Sequence, residues 1–176
     1  KGGVGKTTTA VNLATALAAA DKRVLIVDLD PQGNASTSLS ISAKARATNT
    51  YHLLMGEADV EASAIETVVP NLSVAPSGVD LAGAELELVQ ADDRQNKLRT
   101  ALSSAAKAYD FVLIDCPPSL GLLTLNALVA ADAVLVPLQV EFLALEGVSQ
   151  LVRTIERVQK SFNPDLEIQG IVLTMV

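Results

Sequence analysis

Apolar positions recur along the first 30 residues in two patterns, which predict a helix followed by a buried strand. Residues 6–20 carry an apolar stripe with the i, i+3, i+4 spacing of a helix that packs on a sheet, formed by Ala10, Leu13, Ala14, Leu17 and Ala18. Residues 23–28 form a short apolar run ending in Asp28, as expected of a parallel strand buried on both faces. With a strand before residue 1, this order would complete a βαβ unit.

The same patterns continue to the end of the chain and predict further helices and strands. Helices are expected over residues 51–55, 61–69, 78–90, 94–108, 121–131 and 141–160, and strands over residues 71–76, 109–115, 133–136 and 170–175. We expect Pro137 to end the strand before it. Helix 121–131 is apolar on nearly every side, so either the core or a second subunit must cover it on more than one side. The sequence therefore predicts an α/β fold with a mostly parallel sheet and helices on both faces.

Composition and charge narrow the class of protein. The 176 residues are 49% hydrophobic but only 3% aromatic, so the core must consist of Ala, Val, Leu and Ile, as in parallel α/β sheets. One cysteine excludes an internal disulfide, and no apolar run is long enough to span a bilayer, so we expect a cytoplasmic protein that does not contact membranes. The formal charge of −7 argues against a nucleic-acid-binding surface over the whole segment. We expect the basic stripe of Arg153, Arg157 and Lys160 to be a solvated outer face.

The first eight residues, Lys-Gly-Gly-Val-Gly-Lys-Thr-Thr, carry the candidate nucleotide-binding chemistry. Glycines let the backbone approach a polyphosphate closely, so that successive N–H groups converge on its oxygens. Lys6 would neutralise charge on the β and γ phosphates, and Thr7 stands where a P-loop hydroxyl ligates Mg²⁺. The predicted phosphate-binding residues are Gly2, Gly3, Val4, Gly5, Lys6, Thr7 and Thr8.

The glycine-rich run has a rival interpretation and an unusual start. A dinucleotide-binding fingerprint would use Gly3, Gly5 and a later acid such as Asp28, but it requires Gly or Ala where Thr8 stands. The first glycine of the P-loop pattern G-x-x-x-x-G-K-[ST] would lie one residue before Lys1, together with the strand that feeds the loop. We therefore expect residues 1–176 to be a single P-loop ATPase domain that is cut at its N-terminus. The last predicted strand has no closing helix after it, so we expect a cut at the C-terminus as well.

Two further segments place acids at the carboxyl ends of predicted strands, where open α/β sheets bind their ligands. Residues 28–36 follow the first strand with the sequence Asp-Leu-Asp-Pro-Gln-Gly-Asn-Ala-Ser. An apolar strand ending in Asp115 has the Walker B arrangement, in which the carboxylate holds Mg²⁺ or its water shell. His52 has no metal-ligating partner at a suitable spacing and Cys116 has no histidine to activate it, so we expect both to be structural.

Together these motifs resemble the ParA/Soj family of chromosome- and plasmid-partitioning ATPases, in the deviant Walker A group that also contains MinD and the nitrogenase iron protein. The resemblance rests on Lys1 ahead of the P-loop, on residues 28–34, on Pro-Pro-Ser-Leu-Gly at 117–121, and on runs at 81–88, 141–147 and 173–175. The single cysteine does not fit the nitrogenase iron protein, which needs two per subunit to bridge an iron-sulfur cluster.

The resemblance implies an enzyme that binds ATP and Mg²⁺, hydrolyses ATP slowly, and forms a homodimer with Lys1 of each subunit reaching the phosphates held by the other. Asp30 would help to place Mg²⁺ ligands and the attacking water. The implied catalytic residues are Lys1, Lys6, Asp30 and Asp115, and the implied metal ligands are Thr7, Asp30 and Asp115.

The resemblance also implies non-specific DNA binding, association with the nucleoid, and control by a centromere-binding ParB-like protein. The residues of this chain do not themselves show any of these three properties. A MinD-like membrane-associated cell-division regulator and a P-loop small-molecule ligase or phosphotransferase remain alternatives, and the cargo could be a chromosome or a plasmid.

In this class of proteins, the strand before Lys1 lies beside the Walker B strand. We therefore expect a gap beside residues 111–114, with apolar faces left exposed on the flanking helices. Unpaired backbone groups at such an edge are costly if they stay buried, so the stretch expressed by itself is expected to be insoluble or inactive.

Overall fold

A computed structural model describes residues 3–139 and 144–174 of the chain, in which strands alternate with helices. The strands are β1 (Val24–Asp28), β2 (Ile65–Glu66), β3 (Leu72–Ala75), β4 (Phe111–Asp115), β5 (Ala133–Gln139) and β6 (Glu167–Thr174). The α-helices are α1 (Lys6–Ala19), α2 (Asn34–Ser38), α3 (Thr50–Met55), α4 (Val60–Ser63), α5 (Leu81–Gln90), α6 (Lys97–Ala101), α7 (Ala105–Ala108), α8 (Leu122–Ala130) and α9 (Ala144–Ser161).

The strands form two sheets. The larger sheet has the order β2-β3-β1-β4, and β1 pairs in parallel with both β3 and β4. Only β2 is antiparallel to its neighbour, and β5 and β6 form a separate parallel pair. The register of β1 and β4 places Asp28 opposite Asp115 at the carboxyl ends of the two strands. The predicted α/β fold with a mostly parallel sheet is confirmed.

Strand β1 is buried on both faces and organises the core. Val24 and Ile26 face a cluster formed with α1 and α2, whereas Leu25 and Val27 face a second cluster formed with α3, α5, α6 and α8. All four side chains are 0% exposed. Helices therefore cover both faces of the sheet, as the sequence predicted.

Helix α8 is covered from two sides within the chain itself. Leu123 and Ala127 belong to the main core, whereas Leu128 and Val129 pack with residues of α9 in a third cluster. Burial between the main core and α9 thus accounts for the apolar side chains of Leu123, Ala127, Leu128 and Val129.

Strand β4 has an open edge among the described strands. It pairs with β1 on one side, and no described strand pairs with its other side. Phe111 on β4 is 44% exposed. The described strands therefore leave β4 with the unpaired edge that the sequence predicted.

Two predicted helices differ from the observed structure. The helix expected over residues 61–69 ends at Ser63, because Ile65 and Glu66 pair with β3 as an antiparallel edge strand. The helix expected over residues 94–108 is broken into α6, a 3₁₀ turn at Leu102–Ser104, and α7. Leu98 of α6 and Ala105 of α7 both belong to the main core.

The expected end of β5 at Pro137 was wrong. The strand runs through this residue to Gln139, with Pro137 opposite Val172 of β6. Proline lacks an N–H group, and it is tolerated here because β5 pairs on only one side in the described part of the chain. Residues 141–143 of the last predicted helix and residue 175 of the last predicted strand lie outside the described residues.

Asn126 joins α8 to α6 through buried hydrogen bonds. Its Oδ1 accepts from the N–H of Leu98 at 3.1 Å, and its Nδ2 donates to the carbonyl groups of Arg94 at 2.8 Å and Leu122 at 3.0 Å. The side chain is 0% exposed, so no solvent could replace these partners. Asn126 therefore fixes the position of the helix that follows the Walker B strand.

Replacing Asn126 by alanine is expected to lower the free energy of unfolding by about 1 to 3 kcal/mol, because buried partners lose their hydrogen bonds. Urea denaturation of the two proteins measures the difference. Asn96→Ala is a matched control, since the side-chain bond of Asn96 to Asp93 is exposed. Equal unfolding midpoints for the two variants would contradict the role assigned to Asn126.

Candidate functional site

The glycine-rich segment forms a tight loop that leads directly into α1. Gly3 and Gly5 have φ angles of +78° and +84°, in the left-handed region that favours glycine. Helix α1 begins at Lys6, has no acid in its first turn, and its N-terminal amides receive no side-chain cap from Gly5. Such an uncapped N-terminus favours an anionic ligand, as the sequence predicted for Gly3, Val4, Gly5, Lys6, Thr7 and Thr8. Lys1 and Gly2 lie outside the described residues.

The end of β6 supports this loop. The hydroxyl of Thr174 donates to the carbonyl oxygen of Val4 at 2.8 Å. A Cβ atom built on Gly5 would lie 3.4 Å from the Thr174 methyl group, so the two segments are in close contact. Thr174 was not identified as a site residue from the sequence, because 170 residues separate it from Val4.

The P-loop and the Walker B strand meet through one hydrogen bond. The hydroxyl of Thr7 donates to Oδ2 of Asp115 at 2.7 Å. Thr7 lies in the first turn of α1, and Asp115 ends β4, which is parallel to the neighbouring β1. The structure thus brings together two predicted Mg²⁺ ligands that are 108 residues apart in sequence.

Three carboxylates and one lysine ammonium converge beside the loop. Asp28, Asp30 and Asp115 are only 0%, 7% and 2% exposed. The pKa of Asp115 is raised to about 6, chiefly by burial and also by the negative charges of Asp28 and Asp30, while the Thr7 hydrogen bond and the charge of Lys6 oppose this rise. Such a concentration of buried negative charge favours the binding of a cation.

Asp28 holds the segment that follows β1. Its Oδ2 accepts from the backbone N–H of Ser36 at 2.8 Å and from its hydroxyl at 2.6 Å, and its Oδ1 accepts from the N–H of Asp30 at 3.3 Å. Burial raises the pKa of Asp28, and the hydrogen bonds from Ser36 oppose that rise. The sequence placed this acid at a strand end, in the segment where ligand chemistry was expected, but assigned it no role in the P-loop site.

Asp30 is positioned at the start of the turn that Asp28 holds. Its Oδ1 accepts from the N–H of Gln32 at 2.9 Å, and its carbonyl oxygen accepts from the N–H of Gly33 at 2.9 Å. These bonds fix the backbone around Asp30. The negative charge of Asp30 also raises the pKa of Asp115.

The donor set fits Mg²⁺ better than a transition metal. Within the described ranges, no cluster of three or more His, Cys, Asp or Glu residues could hold a metal by itself. Mg²⁺ usually keeps several waters and is bound by one or two carboxylates together with substrate phosphates. Thr7, Asp115 and Asp30, beside a phosphate-binding loop, are consistent with that mode of binding.

The other candidate residues lie in structural or exposed positions. Nδ1 of His52 accepts from the N–H of Asn49 at 3.3 Å in the capping box of α3. Burial raises the pKa of Cys116 to about 12, which keeps the thiol protonated and unreactive. The basic side chains of α9 are exposed, namely Arg153, Arg157 and Lys160. None of the helices in residues 3–139 and 144–174 has the length and hydropathy needed to cross a bilayer.

Comparison with known proteins identifies the family. The family model described as an AAA domain matches residues 1–168. The chromosome partitioning protein ParA of Caulobacter vibrioides is 60% identical over 177 residues, covering 99% of this chain and 66% of that protein. The sporulation initiation inhibitor protein Soj of Bacillus subtilis is 52% identical, covering 100% of this chain and 70% of that protein. This chain belongs to the ParA/Soj family.

A solved structure shares the fold of this ParA/Soj chain. It is cobyrinic acid a,c-diamide synthase from Mycobacterium smegmatis with a bound ATP analog and magnesium. The TM-score is 0.93 at 44% identity, and the match covers 98% of this chain and 70% of that one. The chain spans about two thirds of the length of the ParA and Soj relatives that it matches.

Ser36→Ala is expected to lower the free energy of unfolding by about 1 to 3 kcal/mol, because buried Asp28 loses a donor and the N–H of Ser77 loses its acceptor. Chemical denaturation measures this effect. Ser38→Ala tests the same change at an exposed position of α2 and should alter stability by about 0.5 kcal/mol or less. If the Ser36 variant were as stable as the Ser38 variant, the stabilising role assigned to the hydrogen bonds of Ser36 would be refuted.

Proposed function

We propose that this chain is the nucleotide-binding domain of a partitioning ATPase, which binds Mg·ATP and hydrolyses it slowly to ADP and phosphate. The observation that carries the proposal is the hydrogen bond between Thr7 and Asp115, directly behind a glycine-rich loop. This contact joins the P-loop to the Walker B strand where Mg²⁺ would lie between protein and phosphate. The family membership and the nucleotide-bound M. smegmatis structure support the same ligand.

The residues of the site have separate tasks in this proposal. The loop amides and Lys6 bind the β and γ phosphates and stabilise charge on the transferred group. Thr7 and Asp115 would hold bound Mg²⁺, which would offset the charge of the phosphate oxygens. Asp30 orients the attacking water, and Asp28 keeps Asp30 in place through the backbone of the turn.

The proposal extends to the assembly and its partners. ATP would bring two subunits together, with Lys1 of each contacting the phosphates bound by the other. The dimer would bind DNA non-specifically and associate with the nucleoid, and a centromere-binding ParB-like protein would stimulate hydrolysis. The names of the ParA and Soj relatives support this role in segregation.

A second candidate function is an ATP-dependent amide-forming ligase. The name of the M. smegmatis synthase, 44% identical to this chain, favours this alternative. Turnover assays separate the two functions, because a ligase needs an acceptor metabolite for rapid ATP consumption. A partitioning ATPase has slow basal turnover that DNA and the partner protein increase.

Lys6→Ala is expected to weaken ATP binding about 10- to 100-fold, because a charge-assisted hydrogen bond to phosphate contributes about 1.5 to 3 kcal/mol. Isothermal titration calorimetry with Mg·ATP measures the affinity. Lys22→Ala removes an exposed lysine from the turn after α1 and serves as the control. Unchanged affinity in the Lys6 variant would refute the P-loop assignment.

Asp30→Ala and Lys1→Ala are expected to fail at different steps. The Asp30 variant should bind ATP and accumulate as a dimer while hydrolysis falls about 100-fold or more, because it loses water positioning but keeps the phosphate site. The Lys1 variant should bind ATP but stay monomeric. Size-exclusion chromatography with ATP and a phosphate-release assay distinguish these outcomes.

Asp21→Ala, which removes an exposed acid from the turn after α1, is the control for both variants. Normal hydrolysis by the Asp30 variant would remove its catalytic role. ATP-dependent dimers of the Lys1 variant would argue against a contact across the subunit interface.

A further inference from the structure

Arg46, at the end of a short 3₁₀ helix, contacts the segment that carries Asp30. Its Nε and Nη2 groups donate to the carbonyl oxygen of Ile41 at 3.2 and 2.9 Å, and Nη2 also donates to the hydroxyl of Thr37 at 3.0 Å. A Cβ atom built on Gly33 would lie 2.7 Å from Nη1. The guanidinium group therefore packs against the end of the turn after β1. We call this set of contacts the Arg46 clamp.

Hydrogen bonds within the turn connect the Arg46 clamp to Asp30. The hydroxyl of Thr37 donates to the carbonyl oxygen of Gly33 at 2.9 Å, and the N–H of Thr37 donates to the same oxygen at 3.0 Å. The N–H of Gly33 in turn donates to the carbonyl oxygen of Asp30 at 2.9 Å. Gly33 has a φ angle of +63°, which favours glycine. Because each of these bonds orients the next, holding Thr37 and Gly33 also holds the backbone of Asp30.

The backbone around Arg46 is anchored to the larger sheet. Asn49 is 2% exposed, and its Nδ2 donates to the carbonyl oxygen of Arg46 at 3.0 Å. Thr50 donates its hydroxyl to the carbonyl oxygen of Asp28 and its N–H to that of Pro76, both at 2.9 Å. Asp28 ends β1, and Pro76 directly follows β3. Arg46 therefore projects from a segment that is fixed at the carboxyl ends of two strands, so its side chain has a firm base.

Arg46 uses its charge on neutral oxygens. Within residues 3–139 and 144–174, no carboxylate forms an ion pair with it. Hydrogen bonds from a charged donor are stronger than those from a neutral one, and the guanidinium fork reaches two acceptors at once. Asp28 and Ser36 hold the same turn from its buried side. We propose that Arg46 is a positioning residue for ATP hydrolysis, which clamps the turn after β1 and so keeps Asp30 where it orients the attacking water.

The inference rests on the proposed function and assigns Arg46 to one step of it. In the described part of the chain, the side chain of Arg46 donates to Ile41 and Thr37 and makes no hydrogen bond to the glycine-rich loop. Its loss should therefore slow hydrolysis and leave the affinity for ATP unchanged. A catalytic group displaced by about 1 Å can lower a reaction rate by about 100-fold, so a local loosening of the turn is enough for a measurable effect.

The first test compares hydrolysis and binding in an Arg46→Ala variant. Single-turnover release of labelled phosphate from Mg·ATP measures the hydrolytic step, and isothermal titration calorimetry measures the affinity. The rate should fall about 10- to 100-fold while the affinity changes by less than about twofold. Lys44→Ala removes an exposed lysine from the same 3₁₀ helix and should hydrolyse ATP as the parent protein does. Far-ultraviolet circular dichroism and the unfolding midpoint show whether each variant keeps its fold.

A double substitution tests whether Arg46 acts through Asp30. If it does, adding Arg46→Ala to Asp30→Ala should lower the residual rate by less than about twofold, because the two residues act as a unit. The same loss of rate in both backgrounds would overturn the inference, since Arg46 would then act independently of Asp30. A parent rate in the single variant, or a loss of ATP affinity as large as the loss of rate, would overturn it as well.

Two substitutions at Thr37 test the Arg46 clamp from its other end, and they decide the matter if Arg46→Ala does not fold. Thr37→Val removes the hydroxyl but keeps the shape of the side chain, so hydrolysis should slow as it does in Arg46→Ala. Thr37→Ser keeps the hydroxyl and should retain the parent rate. A loss of rate in both variants, or in neither, would contradict the role assigned to this hydrogen bond.

Hydrogen exchange without nucleotide separates the Arg46 clamp from the proposed function. Arg46→Ala should speed exchange at the N–H groups of Gly33 and Thr37, which are bonded within the turn, and leave those of β1 unchanged. Unchanged exchange in the turn would overturn the inference. Faster exchange there, in a protein that does not hydrolyse ATP, would support the clamp and refute only the proposed function.

Discussion

The nucleotide site depends on the parallel pairing of β1 with β4. This pairing places Asp28 opposite Asp115, so that two carboxylates are buried at adjacent strand ends. Burying such charges is unfavourable unless hydrogen bonds or a cation compensate for them. Hydrogen bonds from Ser36 and from the backbone N–H of Asp30 offset the cost of burying Asp28. A hydrogen bond from the Thr7 hydroxyl does the same for Asp115. Because both buried carboxylates need these hydrogen bonds, the turn after β1 and the first turn of α1, together with the loop that leads into it, are held in fixed positions relative to one another.

The core makes this arrangement rigid. Because β1 is packed on both faces, its carboxyl end cannot move without disturbing both clusters. In contrast, β5 and β6 contact the loop through the side chain of Thr174, which lies at the end of a separate sheet. The larger sheet thus carries the acids, and a strand of the smaller sheet contacts the glycine-rich loop.

Local patterns allowed much of the fold and the site to be predicted from the sequence. The strands ending in Asp28 and Asp115 and the helix after the P-loop are short-range features, and the structure contains all three. The secondary-structure predictions that failed did so because of contacts between residues far apart in the sequence. Ile65 forms a strand because β3 offers an edge, and Pro137 remains in a strand because only one side of β5 is paired. The role of Thr174 depends on a contact across 170 residues, which no local pattern shows.

Gly121, just before α8, has a consequence for how this sequence can vary. A Cβ atom at that position would clash with Oε1 of Glu85, the oxygen that accepts from the N–H of Leu123. Because that carboxylate is the end of a flexible side chain, an added methyl group would displace it and break its hydrogen bond with the N–H of Leu123, while the apolar contacts between α5 and α8 would remain. A side chain at position 121 therefore competes with Glu85 for the space at the start of α8.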